Sequence, residues 1–279
     1  MAEHETLVGI VGLGRIGGAV ADHVLASGWP MTAWARRPET LEKFAQRGGR
    51  VAGSVAELGV AEVVISVVFD DEAVREIAFG SNGLVDAMAP GAVHVAMETI
   101  SPRLARELHQ AHAAHGQRFL AAPVFGRPEA AARGELAIMC SGPEDTFRSV
   151  DNILSTAGET RWIGPEPEQA MLVKLIGNHM ILTMGELLGE MFACLRSGGV
   201  SAQDAKAALM DELMPRVLAG YAQRLAEKPD GPRPASTAIG RKDNALLIDA
   251  ARDLGVELAL AHCIAGIASG SKSTGAGPR

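Results

Sequence analysis

Several features that would place the chain in a class at once are scarce or missing. Its 279 residues include only three cysteines, Cys140, Cys194 and Cys263, far apart and without a C-x-x-C pair. That excludes a disulfide framework or a cysteine-built zinc site as the organising element, and it fits a reducing compartment. The 26 basic residues, set against 33 acidic ones for a formal charge of −7, form no run able to track a phosphate backbone. Nucleic acid and anionic membrane are therefore not expected as partners. No stretch reaches the ~18 uncharged apolar residues of a membrane span, and the apolar part of MAEHETLVGIVG is too short for the layout of a signal peptide. A cytoplasmic protein is expected. Internal repeats are absent, and beyond about residue 167 strand-like runs are absent too.

Hydrophobic residues make up 47% of the chain, enough for the cores of one large or two modest domains. In the first half, short β-branched runs alternate with amphipathic segments: residues 7–11, 31–34, 63–68, 93–97, 118–122 and 135–140 read as strands. The alternation predicts a doubly wound, mostly parallel sheet with helices on both faces. Ser54 and Glu57 have the spacing of a capping box, which predicts a short helix there. From about residue 167 a single long helix runs to the paired glycines Gly198 and Gly199, and further helices follow at about 201–226 and 242–270. The division is thus an α/β domain over 1–165, an all-helical domain over 166–270 entered by the long helix, and a small, polar, disordered tail over 271–279. KPDGPRPAS, 228–236, is the one linker-like interruption.

Gly12, Gly14 and Gly17 form G-x-G-x-x-G between a predicted strand and a predicted helix. In that context glycine permits the tight turn and lets a pyrophosphate approach a helix N-terminus, the signature of a Rossmann dinucleotide site. Leu13, Arg15 and Ile16 share the turn and its cofactor-binding assignment. An NAD site would end the second strand with Asp or Glu; here the positions hold Ala35, Arg36 and Arg37. Two guanidiniums suit a 2′-phosphate, so NADP is the expected cofactor.

In AMLVKLIGNHM, Lys174 and Asn178 lie four positions apart and so on one helical face, among Leu172, Val173, Leu175 and Ile176. A lysine in apolar surroundings loses hydration, and its charged form is disfavoured. His109, His112 and His115 lack a carboxylate or cysteine to complete a metal shell; an exposed helix end is expected, and no metal site. His179 faces another side of the helix and is expected in a core or an interface.

With these residues assembled, the chain resembles the β-hydroxyacid dehydrogenase family, the 6-phosphogluconate dehydrogenase-like group that includes 3-hydroxyisobutyrate dehydrogenases and several semialdehyde reductases. The similarity runs from Val8 to about Ala268. METISP (97–102) stands where the family has Ser-Thr-x-x-Pro, APVFGRPEAAARGEL (122–136) where it has Ala-Pro-Val-Ser-Gly-Gly, KLIGN where it has the catalytic Lys-x-x-x-Asn, and KDNALL (242–247) where it has Lys-Asp-x-x-Leu. The resemblance implies hydride transfer between NADPH and a small aldehyde or keto acid, with Lys174 as general acid and Asn178 orienting the substrate. It also implies that Val68 and Phe69 pass along the cofactor, that Thr99 lies near the nicotinamide ribose, and that Lys242 reaches the cofactor from the helical domain, with the site in the interdomain cleft. Glu98, Phe125, Gly126 and Arg127 fall at its substrate-binding positions. Phe125 replaces a serine and makes that wall apolar, and Glu98 replaces another serine; a carboxylate there repels an acid substrate unless Arg127 or another cation pairs with it. Imine reductases, which share the fold and fingerprint but usually lack the lysine, are the alternative, and a non-catalytic nucleotide-binding or reader protein is a remote one. The long apolar helix predicts a homodimer that buries it.

Overall fold

The computed structural model describes residues 4–227, 235 and 237–268. The expected tail, 271–279, and nearly all of the linker at 228–236 lie outside the described residues. The chain divides into two compact units, Met1–Asn178 and His179–Arg279.

The first unit alternates strand and helix: β1 (Val8–Val11), α1 (Arg15–Ala26), β2 (Met31–Trp34), α2 (Pro38–Gln46), β3 (Arg50–Val51), a 3-10 turn (Ala56–Val60), β4 (Val63–Ser66), α3 (Asp71–Phe79), α4 (Leu84–Ala87), β5 (Val93–Ala96), α5 (Pro102–Ala114), β6 (Arg118–Ala121), β7 (Val124–Phe125), α6 (Pro128–Ala132), β8 (Leu136–Ser141), α7 (Glu144–Leu154) and β9 (Gly158–Gly164). The sheet order is β3-β2-β1-β4-β5-β6-β8-β7, with β9 beside β8. From β3 to β6 the strands are parallel; β8 runs antiparallel to β6 and β7, and β9 parallel to β8. This is a Rossmann fold. Helices on both faces of the parallel strands bury every position of VGIV, VVIS and VHVA, which is why these runs are apolar but for the buried Ser66 and His94. Strand order reverses between β1 and β4, so the loops after these two strands part and leave a crevice at their carboxyl ends.

The strands expected at 63–68 and 93–97 end sooner, at Ser66 and Ala96, and β3, β7 and β9 were not anticipated. At the Ser54–Glu57 box the carboxylate closes the turn, accepting from Gly53 N–H at 2.9 Å, but the helix it starts is 3-10.

The long helix is α8 (Glu168–Ser197). Its first turns belong to the first unit: Ala170 and Met171 are fully buried, and Ala170 N–H donates to Ser141 Oγ at 2.9 Å. Its most apolar 18-residue window has a mean hydropathy of 1.2, which meets the length and composition of a membrane span once a charge or two is tolerated. In the second unit α8 is followed by α9 (Ala202–Lys206), a π-helical stretch (Ala207–Leu213), α10 (Met214–Glu227), α11 (Ala238–Asp253) and α12 (Ala259–Ala268). The helix expected over 242–270 is thus two, broken where Gly255 takes φ +69°, and Glu190 caps the second by accepting from Leu260 N–H at 3.1 Å.

Candidate active site

The β1–α1 turn, the ends of β2 and β4 and the start of α6 enclose a groove of about 770 Å³. Its walls include Gly12, Leu13, Gly14, Arg15, Ile16, Gly17, Arg36, Arg37, Val68, Phe69, Gly126 and Arg127. The three glycines do different things. Gly12 has φ +95°, and a Cβ there would lie 2.3 Å from the Val67 carbonyl oxygen; one on Gly17 would lie 2.1 Å from that of Gly12. Gly14 instead faces open space, with nothing within 4 Å of where a Cβ would stand. It is the N-cap of α1 and offers no side chain to the first turn, so the free N–H groups there face the groove, as a pyrophosphate requires. Arg36 and Arg37 are exposed at its edge. Arg37 lies 4.0 Å from Glu39, and among the described residues Arg36 has no ion pair. Phe69 stands 86% exposed.

The second cluster is built around Lys174. Its ammonium donates to Asn178 Oδ1 at 2.9 Å and lies 4.2 Å from the centroid of the Phe125 ring. Only 9% of Lys174 is exposed, and burial lowers its pKa from the ordinary lysine value. The sequence neighbours are not the cause, because Leu172, Val173, Leu175 and Ile176 are all exposed. Residues 170, 171, 174 and 178 recur at helical spacing on one face, and that face is turned onto the sheet domain, so it is Phe125 and the strands beneath that exclude water. Gly177 leaves room for the ring: a Cβ there would lie 2.4 Å from a ring carbon.

Glu98 is buried and pairs with neither Arg127 nor any other cation among the described residues. It meets Ser66 Oγ at 2.9 Å and accepts from Val68 N–H at 3.3 Å, and burial pushes its carboxyl up to about 8. Thr99 is half-buried beside it. Ser101 and Pro102 of the same motif are structural: Ser101 Oγ caps α5 by accepting from Leu104 N–H at 3.2 Å, with Pro102 at the first helical position. Lys242 belongs to the second unit, exposed on α11 in an ion pair with Asp243 at 2.8 Å.

One expectation fails. His112 is not at an exposed end but fully buried, bonded to His94 and Gln117, because α5 turns that face onto Phe119. His179, expected in a core or an interface, lies in no core of this chain: it is exposed on α8, with Thr183 Oγ1 at 3.5 Å as its partner. The Ser66–His94–His112–Gln117 group was missed, though a histidine inside the apolar strand VHVA was a signal, since a buried imidazole needs partners.

Residues 7–164 match the sequence model of the NAD binding domain of 6-phosphogluconate dehydrogenase. The chain belongs to the 6-phosphogluconate dehydrogenase-like family. Over 257 residues, 91% of this chain and 90% of the relative, it is 30% identical to the uncharacterized oxidoreductase YfjR of Bacillus subtilis. Among solved structures, 3-hydroxyisobutyrate dehydrogenase of Mycobacterium tuberculosis aligns with a TM-score of 0.69 and 26% identity over 96% of this chain and 94% of that one. An imine reductase from Myxococcus stipitatus aligns with a TM-score of 0.83 over 98% and 95% of the two chains; at 18% identity that likeness is one of fold. Membership makes the first unit an NAD(P)-binding domain and places the chain in an oxidoreductase family.

Proposed function

We propose that the protein is an NADPH-dependent oxidoreductase that reduces a small aldehyde or keto acid, with Lys174 as the proton donor. The observation that carries this reading is the dehydrated Lys174 ammonium, held against Phe125 and bonded to Asn178 in a unit that also contains the dinucleotide groove. The dinucleotide, when bound, supplies the hydride, or accepts it in the reverse direction. Lys174 gives its proton to the carbonyl oxygen as negative charge builds there, and is left as a neutral amine that burial already favours. Asn178 orients the ammonium through its Oδ1 and leaves its amide free to donate to the substrate. Uncapped N–H groups at α1 would hold the pyrophosphate, and Arg36 and Arg37 a 2′-phosphate. Thr99 near the nicotinamide ribose, and Lys242 reaching the cofactor, complete the proposed set.

One observation favours a second reading, imine reduction. The position where the family offers a serine to an anionic substrate holds Phe125, whose ring suits a flat, weakly polar C=N group. Absorbance of NADPH consumption against aldehyde acids, neutral aldehydes and cyclic imines, with NADH as control and Lys174→Ala beside wild type, separates the two. Aldehyde-acid turnover lost in the variant supports carbonyl chemistry. Imine turnover that survives Lys174→Ala, without aldehyde turnover, overturns it.

A further inference from the structure

Glu98 stands at one end of an unbranched chain of polar side chains buried between the sheet and α5. Val64 pairs with His94 across β4 and β5, so Ser66 and His94 share a face of the sheet, the face on which α5 lies. Ser66 Oγ is 2.9 Å from Glu98 Oε1 and 2.9 Å from His94 Nε2. His94 Nδ1 is 2.8 Å from His112 Nε2, and His112 Nδ1 is 2.6 Å from Gln117 Oε1.

With both imidazoles neutral, the far end fixes the direction of every bond. Gln117 Nε2 donates to the carbonyl oxygens of Val85 and Met88 at 3.0 and 2.6 Å, so the atom it turns to His112 is its own carbonyl oxygen, which only accepts. His112 Nδ1 therefore carries a proton, and Nε2 of a neutral ring accepts from His94 Nδ1. His94 Nε2 in turn accepts the hydroxyl proton of Ser66. Ser66 has one proton and has given it to His94, so the remaining contact needs a proton from Glu98. Burial acts in the same sense: it holds His94 well below the ordinary histidine range and His112 at about 4, and raises the Glu98 carboxyl.

We propose that Glu98 is a neutral carboxylic acid in the working protein and a positioning residue for the groove, its second oxygen bracing the Val67–Phe69 wall through Val68 N–H without placing negative charge beside a phosphate-bearing ligand. The positioning role rests on the dinucleotide reading of the groove; the protonation state does not. The groups that face Glu98 are Ser66 and the Val68 N–H from β4 and its exit, His94 from β5, and, through them, His112 with its neighbours His109 and His115 on α5. Among the described residues none forms an ion pair with Glu98. Ionisation leaves two lone pairs opposed at Ser66, or moves a positive charge onto buried His112.

The test is isotope-edited infrared spectroscopy of the full chain, wild type beside Glu98→Gln, with NADPH binding followed by fluorescence in both and in Glu98→Ala. An amide copies a neutral acid, donating to Ser66 and accepting from Val68, and keeps the shape, so the comparison does not depend on Glu98→Ala folding. At neutral pH the wild type should show a protonated-carboxyl band that is absent from Glu98→Gln and fades above pH ~8. Wild-type affinity should fall about tenfold over the same rise in pH, affinity of Glu98→Gln should not, and Glu98→Ala should be weaker throughout. No such band at neutral pH overturns the neutral acid, and Glu98→Gln binding as poorly as Glu98→Ala overturns the positioning role. If neither NADPH nor NADH binds the wild type, the dinucleotide reading and the positioning role fail together, and the band alone still decides the protonation state.

Discussion

The proton on Lys174 is governed by a short list of neighbours, and each is a handle on it. The Phe125 ring and the sheet remove water, which favours the neutral amine, while Asn178 Oδ1 accepts from the ammonium and favours the charged form. Reduction needs the charged form, so kcat/KM for reduction should fall as pH rises through a lysine value below the ordinary one. Oxidation of the product should rise over the same range. Asn178→Ala removes the acceptor and should move that limb to lower pH. Lys174→Ala should lower kcat by ~10²–10⁴-fold while leaving NADPH affinity in place, as pH-rate profiles and fluorescence titration can check. Stability reports on the buried acid and imidazoles. Glu98 titrates near 8 when folded against an ordinary glutamate value of 4.5, so between these values the unfolded chain has lost a proton that the folded chain keeps, and stability falls as pH rises. His112 behaves oppositely: from 6.5 down to about 4 the unfolded chain takes up a proton that the folded chain refuses, and stability falls on acidification. Glu98→Gln removes only the first slope. Urea unfolding should find the variant gaining on wild type between pH ~5 and ~8, by a few kcal/mol at most.

Helix α8 meets the Phe125 strand through a glycine, and that joint can be tested. In an exposed helix interior, glycine to alanine stabilises by about 1 kcal/mol. At Gly177 the new methyl would fall 2.4 Å from a ring carbon, so Gly177→Ala should displace Phe125, cost ~1–3 kcal/mol and let water back to Lys174. Calorimetry should show the loss of stability, and the pH limb of Lys174 should move up. In a Phe125→Ala background the same substitution should stabilise instead, which separates the ring clash from a helix effect. At the end of β2, Arg36→Asp with Arg37→Ser should favour NADH over NADPH in steady-state kinetics, because a carboxylate repels a 2′-phosphate and accepts from a free ribose hydroxyl.

How much was legible follows the same scale. Strands β1, β4 and β5 were readable because both faces of a parallel strand are buried and the run is apolar but for Ser66 and His94; β2 and β6 carry Thr32 and Arg118 at half-buried positions and are apolar at the rest. Strand β9 was not, since GETRWIG mixes buried and exposed positions and lies at the sheet margin, and β3 and β7 are two residues each. The groove glycines and Arg36 and Arg37 were visible in the local pattern. The state of Glu98 was not, because it depends on Ser66, His94 and Gln117, brought together only by the register of β4 on β5 and the packing of α5.

For the whole molecule, the question is what covers α8. Met180, Ile181 and Leu182 are more than 60% exposed, and Leu172 and Ile176 more than 50%. The core of the second unit is small, formed by Cys194, Ala251, Leu258 and Ala261 with Leu247, Ile248 and Val256 against them. So much apolar surface on one helix calls for a partner, and a second copy of this chain supplies a matching surface without further assumptions. The alternative cover is lipid, since α8 meets the length and hydropathy of a span. Against it, Lys174, Glu186 and Glu190 lie within the helix, and Glu190 is committed to the N-terminus of α12. Light scattering in detergent-free buffer should therefore give about twice the 29.1 kDa of one chain, with a melting temperature that rises with protein concentration. Ile181→Glu, which places a charge in the middle of that surface, should halve the mass and remove the concentration dependence. A single-chain mass for wild type in solution would leave the apolar helix without a protein partner, and recovery of the protein only with detergent or vesicles would assign that surface to lipid.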